Sequence, residues 1–280
     1  MSRMEGLERI TPIVLTFEEE ANLGRCLVSL EAFPRVVVVD SGSTDGTAEV
    51  ARRFRNVSWF VRRWDGFAGQ WRFALGETGT GTPFVLALDA DMSVPSELAK
   101  ELAELAEADD ADGAVIPFEY RIQGAPLAGS LYPPQLRLLR LSRARAGEKG
   151  HAHTLEVEGR VVRTRGRLVH DDRKGLEAFA RAQLGYSERE LPLLFDPETG
   201  RRLRSRLRRG FAFTPQIVWL LAWLMAGGPF RGAAARRYAL ERLMYESMLR
   251  WRLEDRLLKG REHARGLDTP VPADVESRRP

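Results

Sequence analysis

Val36-Val37-Val38-Val39-Asp40-Ser41-Gly42-Ser43-Thr44-Asp45-Gly46-Thr47 is the stretch that decides the fold. Successive side chains of a strand point to opposite faces, so four consecutive valines require both faces to be dry. The run therefore predicts a strand of a parallel sheet covered on both sides. The Ser/Gly/Thr/Asp segment behind it predicts a turn into a helix over about 48–54. Upstream, Ile13-Val14-Leu15-Thr16 has the same character, and Leu23, Leu27 and Leu30 recur at helical spacing between the two strands. Downstream, Val57-Ser58-Trp59-Phe60-Val61 predicts a third strand, 67–77 a helix, and Pro83-Phe84-Val85-Leu86-Ala87-Leu88 a fourth strand. Pro95-Ser96 opens a helix expected to run to about Ala108. This β-α-β-α order predicts an α/β fold on a doubly wound, mostly parallel sheet, which binds ligands at the carboxyl ends of its strands.

Acidic residues stand at those ends. Asp40 closes the valine strand, and Asp89-Ala90-Asp91 closes the fourth strand just before a helix start. An Asp-X-Asp alone carries little information, but at an exposed carboxyl edge its two carboxylates can divide the work. One can hold Mg²⁺ or Mn²⁺, hard cations that favour oxygen ligands and complete their shells with substrate phosphates. The other can meet a ribose or an ordered water.

The 280 residues, 44% hydrophobic and 29% charged, suffice for one large α/β domain with an appendage. A single cysteine, Cys26, excludes an intrachain disulfide and a cysteine-rich zinc site. It shares a helical stripe with Leu23, Leu27 and Leu30, as a packed core thiol does. The first residues lack the apolar stretch of a secretory signal, which predicts a cytoplasmic protein.

Charge is unevenly spread. Lys plus Arg minus Asp plus Glu gives −3 over residues 1–100, −3 over 101–200 and +10 over 201–280. Arg201, Arg202, Arg204, Arg206, Arg208 and Arg209 precede an apolar run, Phe211–Met225, that is too short for the roughly 20 residues of a spanning helix. A second helix is expected to pack through Leu240, Leu243, Met244, Met248 and Trp251, with Glu241, Arg242, Glu246 and Arg250 off that stripe. Such a pair predicts an element lying on an anionic membrane surface; the competing reading is a buried helix packed on its neighbour. Nucleic acid is disfavoured, because the body of the chain is acidic. The expected organisation is a catalytic domain over 1–200, divided near 110, a basic helical region over 201–268, and a disordered tail over 269–280.

Several blocks together resemble family-2 glycosyltransferases, which have the GT-A fold. They are Thr16-Phe17-Glu18-Glu19-Glu20-Ala21-Asn22-Leu23-Gly24-Arg25-Cys26-Leu27 and Val39-Asp40-Ser41-Gly42-Ser43-Thr44-Asp45-Gly46-Thr47. Within that family, Trp64–Gln70, Leu86–Asp91, Tyr132–Leu138 and Leu168-Val169-His170 resemble the branch of lipopolysaccharide-core β-glucosyltransferases. The resemblance implies an inverting, metal-dependent transfer of a sugar from a nucleotide diphosphate donor, expected to be a UDP-sugar, to a glycan or lipid-linked acceptor. It implies that Thr16 and Glu18 line the base and ribose pocket. Asp40 would accept from the base and Asp89 approach the ribose. Asp91 and His170 would bind the metal, and Gln70 and Arg72 would touch the donor. An imidazole beside a carboxylate suits Mn²⁺ somewhat better than Mg²⁺.

The chain also departs from the pattern. The family usually has Asn where Glu18 stands, and the branch carries a His-Glu pair where this chain has His151-Ala152-His153-Thr154. His153 is the first candidate for the catalytic base, with His151 and Asp171 as alternatives; an imidazole has a suitable ordinary pKa. Transfer to a polyprenyl phosphate, or a binding protein without turnover, are the other readings. A nucleotidyltransferase would carry a basic glycine-rich loop after the first strand, where Glu18-Glu19-Glu20 stands instead.

Overall fold

The computed structural model describes residues 5–147, 154–197 and 199–264. They divide into two compact units, 5–179 with 220–239 and 180–219 with 240–264.

In the first unit the expected order is realised: β1 (Ile10–Thr16), α1 (Glu20–Val28), β2 (Val36–Asp40), α2 (Thr47–Ala51), β3 (Val57–Val61), α3 (Phe67–Gly76), β4 (Phe84–Asp89) and, after the short β5 (Met92–Ser93), α4 (Ser96–Ala108). Among the described residues one sheet has seven strands. It adds β6 (Gly113–Ile116), β9 (Gln135–Arg140) and β12 (Val161–Arg163) in the order β12-β6-β9-β4-β1-β2-β3. β1 to β4 are parallel, and β9 runs antiparallel to both β4 and β6. The uninterrupted valines behave as their pattern demands. Val36, Val38, Phe84, Leu86 and Leu88 enter a core with Leu23, Leu27, Leu98 and Leu102 of α1 and α4. Val37, Val39, Val85 and Ala87 enter the opposite core with Trp71 and Ala74 of α3. Cys26 is fully buried in the first core, and burial pushes its thiol far above the usual range, so it is an inert packing residue.

The middle section is too rich in Gly, Pro and Arg to parse from its pattern. It forms a second sheet in the order β5-β13-β7-β8, with β7 (Phe118–Ile122), β8 (Ala125–Pro126) and β13 (Leu168–His170), and a hairpin of β10 (Ala144–Gly147) and β11 (Thr154–Val157). Residues 220–239 complete this unit. Ala222, Ala226, Ala235, Tyr238 and Ala239 form a third core with Ile122 and Leu127.

The second unit is helical, containing most of α5 (Leu176–Leu193), α6 (Leu203–Gly210), the start of α7 (Thr214–Met225) and most of α8 (Gly232–Ala264). Here two sequence expectations are corrected. Leu240 and Trp251 are exposed, whereas Glu246, Leu249 and Leu253 are buried. The inward face of α8 is rotated because Glu246 receives a buried arginine: Arg208 Nε donates to its Oε2 at 2.9 Å and Nη2 to Oε1, while Nη1 donates to Glu190 at 2.8 Å. The six-arginine cluster is accordingly divided. Arg208 is 4% exposed, and Arg209 donates to the carbonyls of Leu194 and Gly200, so these two are internal struts.

Candidate active site

β4, β1 and β2 are adjacent in the sheet, and their carboxyl ends carry Asp89, Thr16 and Asp40. The register sets Thr16 opposite Asp40 and Leu15 opposite Asp89. This is the rim on which a doubly wound sheet binds ligands. Asp40 is buried, and the loop after it folds back on its carboxylate. Oδ2 accepts from the backbone of Gly42 (2.9 Å) and Ser43 (2.8 Å), and Oδ1 accepts from Ser43 Oγ (2.5 Å). Ser43 Oγ in turn accepts from the Glu18 backbone at 2.8 Å, and Glu18 Oε1 accepts from Thr44 N (2.7 Å) and Thr44 Oγ1 (3.0 Å). Asp40 and Glu18 therefore hold two loops of the rim together.

Glu18 adopts φ +53, in the left-handed region. Asn tolerates that conformation better than Glu does, because its short polar side chain bonds locally. The Asn that the resemblance implies at this position would thus have a conformational reason.

On α3, Gln70 is buried; its Nε2 donates to Arg62 O at 3.1 Å and lies 3.4 Å from Ser41 Oγ, next to the Asp40 loop. Arg72 is exposed, with its Nε donating to Ala68 O of the same helix at 3.3 Å. Asp89 pairs with Arg137 at 3.1 Å. Arg137 is itself 1% exposed and also donates to Ala87 O and Gln135 Oε1. A cavity of about 170 Å³ is lined by Gln135, Leu136, Arg137 and Leu155.

Asp91 and His170 are 79 positions apart, yet β5 and β13 bring them together. His170 registers with Met92, and the backbone of Asp171 donates to Asp91 O at 3.0 Å. His170 Nε2 lies 3.5 Å from Asp91 Oδ2, longer than a hydrogen bond. Tyr120 stacks on the imidazole at 4.6 Å, and Tyr132 lies 5.4 Å away. Burial pushes the Asp91 carboxyl above the usual range; His170 opposes this, and Asp89 and Asp172 add to it.

Two residues without a sequence-assigned role complete the cluster. Glu19, at the start of α1, is buried, with Oε2 accepting from Asn22 (2.8 Å) and Oε1 from the Lys174 ammonium. Burial, reinforced by the Asp91 charge and opposed by Lys174, pushes Glu19 up to about 7. Asn22 is fully buried and ties the segment after His170 to α1. It donates to Asp172 (2.8 Å) and accepts from the backbone of Arg173 (2.9 Å). Asp171 is occupied by the Gly124 backbone and by Arg173 Nε, so its carboxylate is a structural tie and not an open base. His151 and His153 lie outside the described residues.

A buried polar atom without a partner calls for an explanation. Eight side-chain atoms are in this condition among the described residues, and five of them belong to Thr16, Gln70, Asp91, Arg137 and His170. The 3.5 Å separation of Asp91 Oδ2 and His170 Nε2 fits a divalent ion shared by those two atoms. Two ligands bound at about 2.1 Å stand about 3 Å apart around one ion. No cluster of three or more His, Cys, Asp or Glu is placed to hold a metal among the described residues. The protein side of such a site is therefore two ligands, with the remaining positions left for phosphate oxygens and water.

The sequence matches the model of the family described as glycosyl transferase family 2 over residues 11–156. It is 34% identical over 175 residues to the lipopolysaccharide core biosynthesis glycosyltransferase LpsC of Rhizobium meliloti, covering 58% of this chain and 62% of that protein's length. It is 34% identical over 89 residues to the succinoglycan biosynthesis protein ExoA of the same organism, covering 30% of this chain and 27% of the relative. Among solved structures, S. aureus TarS 1–349 in complex with UDP-GlcNAc is 17% identical, covers 90% of this chain and 92% of its own, and has a TM-score of 0.49. At that score the superposition is too loose to pair individual residues. The family match spans just over half of the chain and takes in every rim residue from Thr16 to Asp91, and the chain belongs to glycosyl transferase family 2.

Proposed function

We propose that this chain is an inverting hexosyltransferase that moves a sugar from a UDP-sugar to a glycan or lipid-linked acceptor of the cell envelope. The observation that carries the reading is the Asp91–His170 pair, with Oδ2 and Nε2 facing each other at 3.5 Å, on the same carboxyl rim as Asp89 and Asp40. Mn²⁺ or Mg²⁺ would be held there by Asp91 and His170, and when bound such an ion neutralises charge on a departing diphosphate.

The chain's own residues have separable tasks in this reading. Asp40 and Glu18 shape the rim loops around the base, and a carboxylate acceptor suits an N–H such as that of uracil N3. Thr16 Oγ1 and Gln70 Oε1 are buried polar atoms left available to the donor. Asp89, steered by Arg137, takes the ribose. Arg72, exposed on α3, would meet the donor from the solvent side. Lys174, held by Glu19, is the ammonium beside this cluster and offsets negative charge gathered there. His153 is the proposed base, drawing the proton from the acceptor hydroxyl as that oxygen attacks the anomeric carbon through an oxocarbenium-like state. The name of LpsC supports a lipopolysaccharide-type acceptor, and that of ExoA a cell-envelope polysaccharide one. Such acceptors would place the enzyme on the cytoplasmic face of the membrane.

A panel of nucleotide-sugars with and without Mn²⁺, read by thermal shift and by product formation, tests the assignment. Metal-dependent turnover of one donor is expected, and Asp91→Ala should lower kcat by about two to three orders of magnitude with the fold intact. Full metal-dependent turnover in Asp91→Ala would overturn the metal assignment. Offering polyprenyl phosphate beside lipopolysaccharide-type acceptors identifies the acceptor class, and donor binding without turnover on any acceptor would sink the enzymatic reading.

A further inference from the structure

The segment from Leu220 to Ala239 is built inside out. The last part of α7 buries its alanines, Ala222 and Ala226, and exposes Leu220, Leu221, Leu224 and Met225, the reverse of a helix packed in a soluble core. Gly227 at φ +109, Gly228 at φ +55 and Gly232 at φ +55 then turn the chain through a single 3-10 turn, Gly228–Arg231, into α8. At the tip of that corner Phe230 is 94% exposed. Arg231 and Arg236 are exposed next to it, and residues 199–240 contain nine arginines and no acid.

We propose that this corner docks the protein on an anionic lipid surface, with Phe230 and the leucines entering the headgroup boundary and Arg231 and Arg236 meeting lipid phosphates. Charge decides between this occupant and a second copy of the chain. An isologous contact through the corner would set arginine against arginine, with no carboxylate between residues 199 and 240 to separate them. A lipid phosphate supplies the missing anion, and apolar insertion combined with basic residues is what interfacial binding requires. No single described helix is long and apolar enough to cross a membrane; α7 and α8 reach that length and composition only together, bent by 68° at this corner.

The corner is also well anchored. Its alanines and Tyr238 pack on Ile122 and Leu127, and the Tyr238 hydroxyl accepts from Leu131 N at 2.8 Å. The Tyr238 ring lies 5.2 Å from Tyr120, which in turn stacks on His170. Docking by this corner therefore fixes the candidate metal pair relative to the lipid surface. Presentation of a lipid-linked acceptor to that pair rests on the function proposed above.

Co-sedimentation of the full chain with phosphatidylglycerol-containing vesicles and with pure phosphatidylcholine vesicles, without donor or metal, tests the docking. Binding is expected to the anionic vesicles only, weakened at least about tenfold by Phe230→Asp or by Arg231→Glu with Arg236→Glu. Both variants change exposed side chains and should keep the wild-type melting temperature. They should also keep any turnover of soluble donor. Absence of anionic-vesicle binding by the wild type, or unchanged binding by Phe230→Asp, would overturn the proposal. So would a wild-type dimer in sedimentation equilibrium that Phe230→Asp converts to monomer. Vesicle binding in a protein that turns over no nucleotide-sugar would support the docking surface while removing the glycosyltransferase reading.

Discussion

Glu18 and Glu19 are neighbours with opposite fates. Glu18 faces its loop in a left-handed backbone, while Glu19 is buried against Lys174 and Asn22. Asn at position 18 relieves the backbone and keeps a local acceptor, whereas Ala does neither. Glu18→Asn is therefore expected to be more stable than Glu18→Ala by about 1 kcal/mol in denaturant unfolding. Glu19 makes a pH prediction. Its carboxyl rises from an ordinary 4.5 to about 7, so the folded state holds a proton that the unfolded chain releases over that window. The contribution of Glu19 to the stability of the metal-free protein should then be fully present below about pH 4.5 and be lost as pH rises to about 7, by something on the order of 1–3 kcal/mol. Asp91 shifts in the same direction, so Glu19→Gln should flatten the decline without abolishing it. Urea unfolding of both proteins across that range checks the slope, and an equal slope in Glu19→Gln would exclude Glu19 as its source. Nothing in the run Glu18-Glu19-Glu20 says which carboxylate is inside; that depends on Lys174, 155 positions away.

At the scale of elements, apolar patterns predicted well wherever burial follows composition. β2 and β4 are buried along almost their whole length, and their side chains divide between two cores as their sequences require. The pattern misled at α8, where a charged residue occupies the inner face. Glu246, 5% exposed, is held by Arg208 of α6, with Glu190 of α5 as the third member. Removing one member leaves the opposite charge buried without its partner. Arg208→Met should cost about 3–5 kcal/mol in thermal or urea unfolding, and Arg208→Met with Glu246→Leu should recover much of that loss. Additive losses in the double variant would show that the pair is not coupled.

Across the whole molecule, the active-site proposal depends on residues far apart in sequence meeting at one rim. Runs of β-branched residues and the acids that end them determined, without any tertiary information, that β1, β2 and β4 lie parallel and dry on both faces. They also marked the strand edge at which the acids gather, because strand direction and side-chain alternation are local properties of the chain. Tertiary structure alone decided that β13 pairs with β5 and so seats His170 beside Asp91. The same holds for Asn22 and Lys174 closing the cluster from two different segments, and for the leucines of α7 being left outside. Those outcomes turn on which long-range partner a short strand or a buried charge finds, and spacing along a chain does not encode that choice.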